Sequence, residues 1–195
     1  MDSFLFCLIL VAAIAMGGRE QILVAQLSDS LADHSGSTIQ RPAPLLALAI
    51  VCAALTASVM TYAGFTLGGI MPPRAAWMLV AFALAIAAIE LFWPVRVKPA
   101  KEPTRSLFAI AAVLIWRQVG DAARFIVFAF AVEASLPFTA FLGGAMGGGV
   151  AVAIGWALGA KKLEAWPLRW IRVGLGLCLI IAGLFIGLNA RYGTT

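Results

Sequence analysis

Six long apolar segments, separated by short polar stretches, dominate the hydrophobic pattern of the chain. They are Phe4–Leu27, Pro44–Ile70, Ala75–Phe92, Ser106–Val132, Pro137–Leu158 and Leu168–Leu188. A helix needs roughly 20 mostly apolar residues to cross a bilayer, and the sequence lacks the period-two alternation of a membrane β-barrel. Helices are then the remaining way to satisfy backbone hydrogen bonds in lipid. We therefore predict an all-α membrane protein with six transmembrane helices.

Composition excludes a water-soluble globule and argues against nucleic acid as a partner. Hydrophobic residues make up 63% of the 195 residues and charged residues 12%, and the mean hydropathy is +0.99. Too few polar groups are therefore available to cover a soluble protein. The net charge is +5, but the basic residues lie mostly in the gaps between apolar segments, where they would contact lipid headgroups. The expected partner is a lipid bilayer.

The same basic residues predict an orientation. Most Lys and Arg follow the first, third and fifth segments, so by the positive-inside rule these gaps are cytoplasmic and both termini lie outside the cytoplasm. We expect a multi-pass protein of a bacterial-type cytoplasmic (inner) membrane. The polar stretch 28–43 carries the lone His34 and is predicted to be a solvated cytoplasmic loop, because a single histidine there is more often a surface residue than a metal ligand.

The chain divides into two halves of three segments each. Residues 1–94 and 106–195 form the halves, and residues 95–105 form a basic, proline-containing linker. An internal repeat relates them, since residues 16–23 match residues 118–125. Because three is odd, the second half enters the membrane from the opposite side, which predicts inverted repeats whose first helices meet near the middle of the membrane.

The repeated stretches carry parts of a known signature, Glu-x-Gly-Asp-(Lys/Arg)-(Thr/Ser), of which the first copy keeps Gly18 and the second keeps Gly120 and Asp121. The other signature positions fall on Met16, Arg19, Glu20, Gln21, Gln118, Ala122 and Ala123. Further similarity lies in the last two segments, at Gly144, Gly148, Gly155, Pro167, Arg169, Arg172, Gly176 and Gly183. On these residues the chain resembles the six-helix manganese and calcium transporters of Golgi, thylakoid and bacterial membranes. The resemblance implies a carrier with manganese or calcium as substrate, although only Asp121 remains of the four signature carboxylates.

Five ionisable residues lie where membrane segments should be apolar: Arg19, Glu20, Arg117, Asp121 and Arg124. Charge in hydrocarbon is costly, so such residues usually face a protein interior or a water-filled path and mark a functional site. Helical spacing would place Arg117 and Arg124 on the same face as Asp121. The cluster is therefore the candidate site.

Glycines and amides adjoin these charges. Gly17, Gly18 and Gly120 are candidates for helix breaks that expose backbone carbonyls. Gln21 and Gln118 would supply neutral oxygens beside the carboxylates, because manganese and calcium prefer oxygen ligands. No resident cofactor is expected; a manganese or calcium ion would be bound as substrate.

Three interpretations of the charged residues remain open. In the first, Glu20 and Asp121 bind a cation, with the arginines tuning the site, and their protonation couples transport to a proton gradient. In the second, the arginines act as fixed counter-charges, and the protein carries an anionic or zwitterionic solute. In the third, Arg19 pairs with Asp121, and Glu20 with Arg117 or Arg124, in a buried network without transport. The chain would then be a structural subunit, either in a homodimer or beside a related membrane protein, joined through small-residue faces.

The sequence has no catalytic pattern. It lacks a Ser-His-Asp set, a phosphate-binding loop, an H-E-x-x-H pair and clustered cysteines, so an enzyme is not expected and no catalytic residues are assigned. Glu90, near the end of the third segment, is expected to reach the membrane interface as an ordinary helix-end carboxylate.

Overall fold

The computed structural model describes residues 2–32, 41–95 and 106–193, and this part of the chain is all-α, with eight helices and no strand. The helices are α1 (Asp2–Ala15), α2 (Arg19–Ser30), α3 (Ala43–Ile70), α4 (Pro73–Phe92), α5 (Leu107–Val119), α6 (Ala122–Glu133), α7 (Pro137–Glu164) and α8 (Leu168–Tyr192). His34, with most of the predicted loop, and residues 96–105 of the predicted linker lie outside the described residues.

Four helices, α3, α4, α7 and α8, are long and apolar enough to cross a membrane. Helices α1 and α2 meet the same criterion together, although they are bent by 63° at their junction. By length and composition, the described part of the chain thus has four helices that could span a membrane, or five if the bent pair forms one span. Large apolar side chains cover much of the outer surface, as at Phe108, which is 84% exposed. These features indicate a multi-pass membrane protein.

Two of the six predicted segments are each divided into two helices. Helix α1 ends before Gly17, whose φ of 71° lies in the left-handed region that glycine adopts without strain, and α2 begins after an extended Gly18. Helix α5 ends at Val119, and Asp121 then caps α6 by accepting a hydrogen bond from the Ala123 backbone N–H at 3.2 Å. The polar positions of these segments therefore coincide with interruptions of the helix.

The second interruption corrects one expectation. Arg117 and Arg124 were predicted to share the helical face of Asp121. This prediction is wrong for Arg117, because α5 and α6 are separate helices, whereas Asp121 caps α6 and Arg124 follows it on the same helix. Arg117 is on the last turn of α5, while Arg124 is on the first turn of α6 and is completely buried. A spacing rule for one continuous helix does not apply across a break.

Helix α7 has a face of small residues against which α1, α2 and α6 pack. A Cβ atom at Gly147 would lie 2.7 Å from the carbonyl oxygen of Leu8 on α1, and one at Gly155 would lie 2.7 Å from the carbonyl oxygen of Gln21 on α2. Gly144 adjoins Val127 on α6 in the same way. Since any side chain would push these helices apart, the glycines bring both interrupted segments against α7.

One further interruption, within α7, is secured by polar contacts. Gly159 has φ 75° and ψ 170°, and the backbone N–H of Ala160 just after it donates to Oδ2 of Asp29 at 2.7 Å. Arg41 pairs with Oδ1 of the same aspartate at 3.2 Å and also donates to the carbonyl oxygen of Trp156. The ends of α2 and α3 are thereby fastened to α7.

Candidate functional site

The two interruptions that follow α1 and α5 lie against each other. A Cβ atom at Gly18 would lie 3.5 Å from Oδ1 of Asp121, so the first interruption contacts the acidic side chain of the second. Arg19 and Gly120, one from each interruption, line a common cavity. The tertiary structure therefore brings together two stretches that are about a hundred residues apart in the sequence.

The centre of the site is a buried pair of opposite charges. Glu20, on the first turn of α2, is 1% exposed, and Arg124, on the first turn of α6, is 0% exposed. Arg124 Nη2 lies 3.8 Å from Glu20 Oε2. Neither Glu20 oxygen and none of the three Arg124 nitrogens has a hydrogen-bond partner among the described residues. The charges offset one another, while the hydrogen-bonding capacity of both groups remains available.

Gln118 reaches the same centre from α5. Its Oε1 accepts a hydrogen bond from Thr56 Oγ1 on α3 at 2.9 Å. Its Nε2 has no hydrogen-bond partner within the described ranges, although Gln118 is completely buried. Thr56 was not predicted as a site residue, because a single threonine in an apolar segment commonly bonds to its own helix, as Thr56 also does through Cys52 O.

Gln21 has both ends of its amide engaged. Oε1 accepts from the backbone N–H of Gly17 at 2.7 Å, and Nε2 donates to the carbonyl oxygen of Ala151 on α7 at 2.8 Å. The side chain therefore stabilises the interruption before α2 and fastens it to α7. In this arrangement its oxygen supports the backbone rather than facing Glu20.

Asp121 has one oxygen engaged and one that faces the other interruption. Oδ2 caps α6, and Oδ1 is the atom beside Gly18. The residue is 4% exposed. Four charged side chains act on it electrostatically: Glu20, Glu90, Arg124 and Arg172. Asp121 thus belongs to a larger cluster than the sequence indicated.

Glu90 and Arg172 form a second buried pair, with Arg172 Nη2 3.0 Å from Glu90 Oε2. Glu90 was expected at the membrane interface, but its side chain is only 9% exposed, because α4 packs on α8 and presents the carboxylate to Arg172. Arg19 joins this pair, its Nε being 3.8 Å from Glu90 Oε1. Glu90 and Arg172 are each an ionisable residue within a long apolar segment. That feature of the sequence could have identified both as site residues.

The ion pairing therefore differs from the network considered from the sequence. Glu20 pairs with Arg124, which was one of its two predicted partners. Arg19 is paired with Glu90 instead of Asp121. Arg117 has no ion pair with any described residue and lines the cavity. Three carboxylates and two arginines, Arg124 and Arg172, thus share one buried region, while the more exposed Arg19 and Arg117 lie at its edge.

A cavity of about 1110 Å³ adjoins this cluster. It lies between the last residues of α4 and α5 and is lined by Arg19, Trp93, Pro94, Trp116, Arg117, Val119 and Gly120. Two arginines and no acidic residue are among these, so the described part of the lining is positively charged. The cavity is slightly larger than the usual range of small-ligand sites, about 300–1,000 Å³.

The donor set limits how a metal ion would be held. Within residues 2–32, 41–95 and 106–193, no three side chains of His, Cys, Asp or Glu come together in a way that could hold a metal ion. A cation would have to be bound by Glu20 or Asp121 together with amide and backbone oxygens, which suits manganese or calcium less well than a carboxylate cage.

Comparison with known proteins identifies no relative: no family model, curated protein or solved structure matches this chain.

Proposed function

We propose that the protein is a secondary membrane carrier that exchanges a divalent cation, manganese or calcium, for protons at the contact between the two interruptions. The observation that carries this proposal is the convergence of Glu20, Asp121 and Arg124 at two adjoining helix breaks in a membrane protein. Broken helices that meet in a bundle are a recurrent way for carriers to build a substrate site.

The carrier would have six spans in two inverted halves. Helices α5 and α6 together cover the predicted segment Ser106–Val132 and would form the sixth span in addition to the bent pair α1 and α2. Each half contains two short helices followed by a 28-residue helix and one further long helix. This repeated order supports the inverted repeat predicted from the sequence.

Proton coupling would follow from competition for the same carboxylate oxygens. A buried carboxylate is costly as a free anion, so it favours either a bound proton or a bound cation. Glu20 has two oxygens without hydrogen-bond partners among the described residues. Asp121 has no ion pair with any described residue and would hold the exchanged proton in the carrier without a cation. A cation that bound between Glu20 and Asp121 would displace this proton, and a proton that returned to Asp121 on the other side would release the cation.

Arg124 would be the internal counter-charge of this cycle. Its guanidinium lies 3.8 Å from the Glu20 carboxylate. The same carboxylate would attract a substrate cation. We expect Arg124 to move away from Glu20 when a cation binds and to return when it leaves. Gln118 and the backbone of the interruptions would complete the coordination.

Uptake by vesicles containing the purified protein tests the proposal. We expect an outward proton gradient to drive Mn²⁺ accumulation, and Glu20→Gln and Asp121→Asn each to reduce it by more than about tenfold, an effect found even for residues that only support a metal ligand. Glu164→Gln is the matched control, because Glu164 is an exposed carboxylate at the end of α7. Uptake in both variants equal to that of the control would contradict the proposal.

A second candidate is a carrier of an anionic or zwitterionic solute. It is favoured by the buried N–H donors of Arg124 and Gln118 that have no acceptor within the described part of the chain, since guanidinium and amide donors bind carboxylate or phosphate groups. Accumulation of such a solute, with loss in Arg124→Gln and no Mn²⁺ uptake by the wild type, would favour this candidate.

A further inference from the structure

The cavity between the ends of α4 and α5 is outside the buried carboxylate cluster and has a chemistry of its own. We propose that it binds the phosphate headgroup of an anionic phospholipid. The site is formed by Arg19 and Arg117 with the indoles of Trp93 and Trp116. This inference depends on the protein lying in a membrane and goes beyond the proposed transport activity.

The side chains of Arg19 and Arg117 can both bind a further acidic group. Glu90 is the only carboxylate paired with Arg19 among the described residues, at 3.8 Å, and it is bound more closely by Arg172, at 3.0 Å. The Arg19 side chain is 45% exposed. Arg117 has no ion pair in the described part of the chain and lines the same cavity. Two guanidinium groups, with no acidic residue in the described part of the lining, favour a phosphate diester, which accepts their forked N–H donors.

The location of the cavity favours a lipid as the occupant. Trp93 and Pro94 follow directly after α4, one of the four helices that could span a membrane, and the end of a spanning helix lies at the level of lipid headgroups. Arg19 and Arg117, which line the same cavity, would then lie nearer this level than the middle of the membrane that the inverted repeat predicts. Trp93 is 63% exposed and Trp116 is 84% exposed, and indoles are enriched where headgroups meet hydrocarbon. Basic pockets of this kind between helices are known to accept anionic headgroups.

The adjoining surface of α5 would accommodate an acyl chain. Trp116 and Val119 line the cavity, and Val113, three residues before Trp116, is next to it on the helix surface. Val113 is exposed, and Ala112 and Phe108, four and eight residues before Trp116, are exposed along the face of α5 that Trp116 occupies. An exposed apolar strip therefore leads away from the two arginines, matching a charged head with a hydrocarbon tail.

Lipid binding to the purified full chain in detergent tests the proposal, with phosphatidylglycerol and phosphatidylcholine of equal chain length as probes. A basic residue near an anionic lipid contributes a factor of about five in affinity. We expect Arg19→Gln and Arg117→Gln each to weaken phosphatidylglycerol binding about fivefold, and the double variant about thirtyfold. Binding of phosphatidylcholine should change little.

The matched control is the double variant Arg74→Gln/Arg191→Gln, which removes the same net charge from two exposed arginines outside the cavity. It should bind phosphatidylglycerol like the wild type. Equal loss in both double variants, or no loss in Arg19→Gln/Arg117→Gln, would overturn the proposal. Displacement of phosphatidylglycerol by inorganic phosphate, in proportion to the phosphate added, would show a free anion site and also overturn it.

Quenching of tryptophan fluorescence by a brominated lipid locates the site even if Arg19→Gln/Arg117→Gln fails to fold. We expect brominated phosphatidylglycerol to quench more than brominated phosphatidylcholine, and the difference to disappear in Trp93→Phe/Trp116→Phe. Trp77→Phe/Trp170→Phe, which alters exposed tryptophans outside the cavity lining, should retain the difference. Retention of the full difference in the first variant would contradict the proposed location.

Discussion

The guanidinium of Arg124 and the carboxylate of Glu20 are both buried and lie 3.8 Å apart, although they come from opposite halves of the chain. Each side chain is on the first turn of a helix that begins after an interruption. The pair therefore links the two halves at the point where both backbones leave the helical conformation, and its charge balance should affect stability and, in the proposed carrier, transport.

Breaking this pair should be more costly than removing it. Arg124→Met leaves the Glu20 charge buried without its partner, and we expect a loss of about 3–5 kcal/mol in the free energy of unfolding. The double variant Glu20→Gln/Arg124→Met should recover most of that loss. Reversible unfolding in mixed micelles measures both, with Arg74→Met as the exposed control. Additive effects of the two substitutions would show that the residues are not coupled.

Gly148 should be required because it provides space for Arg124. A Cβ atom at this position would lie 2.9 Å from Arg124 Nη2, whereas one at the next residue, Gly149, would meet nothing closer than 4.0 Å. Because the atom that must move is the end of a flexible side chain, we expect Gly148→Ala to displace the Arg124 guanidinium and to be less stable than Gly149→Ala by about 1 kcal/mol. Gly149→Ala should be neutral or slightly stabilising, because alanine is the better helix former. Equal melting temperatures of the two variants would argue against this placement of Arg124.

Gln21→Leu should loosen the interruption between α1 and α2. The substitution leaves the buried N–H of Gly17 without its acceptor and removes the contact with the Ala151 carbonyl, for an expected loss of about 1–3 kcal/mol. Hydrogen exchange of the Gly17 amide should accelerate in the variant. Asn189→Leu, an exposed change from an amide to an apolar side chain, is the control for added hydrophobicity. Unchanged exchange at Gly17 would contradict the assigned role of Gln21.

Gly159→Ala should disturb the junction of α7 with α2 and α3. The position has φ 75°, which is unfavourable for alanine, and the added Cβ would lie 2.7 Å from Asp29 Oδ2. With ψ 170° the residue lies in a region that is essentially restricted to glycine, so a loss of about 1–3 kcal/mol from the backbone alone is expected. Gly174→Ala is the matched control, since a Cβ atom there would have no described neighbour within 4 Å and the φ of Gly174 is not positive. Thermal unfolding compares them, and equal stability would contradict the strain.

The residue types along the chain explain how much of the candidate site could be predicted from the sequence. Gly17, Gly18 and Gly120 were candidates for helix breaks because glycine lacks the side chain that stabilises a helix, and both helix interruptions adjoin them. Glu20, Asp121 and Arg124 were candidates because ionisable residues in apolar segments need partners. Glu90 was assigned to the interface because it lies near the end of an apolar segment, and the sequence gave no sign of its pairing with Arg172.

The sequence alone determined that the protein is helical and suited to a membrane, because hydropathy and residue spacing act over one segment at a time. It also indicated which residues are too polar for lipid. The tertiary structure decided which charged residues form pairs: Arg124 pairs with Glu20, and Arg19 pairs with Glu90. Ion pairing depends on how separate helices pack and on where each helix is interrupted, and those relationships arise only when the whole chain is assembled.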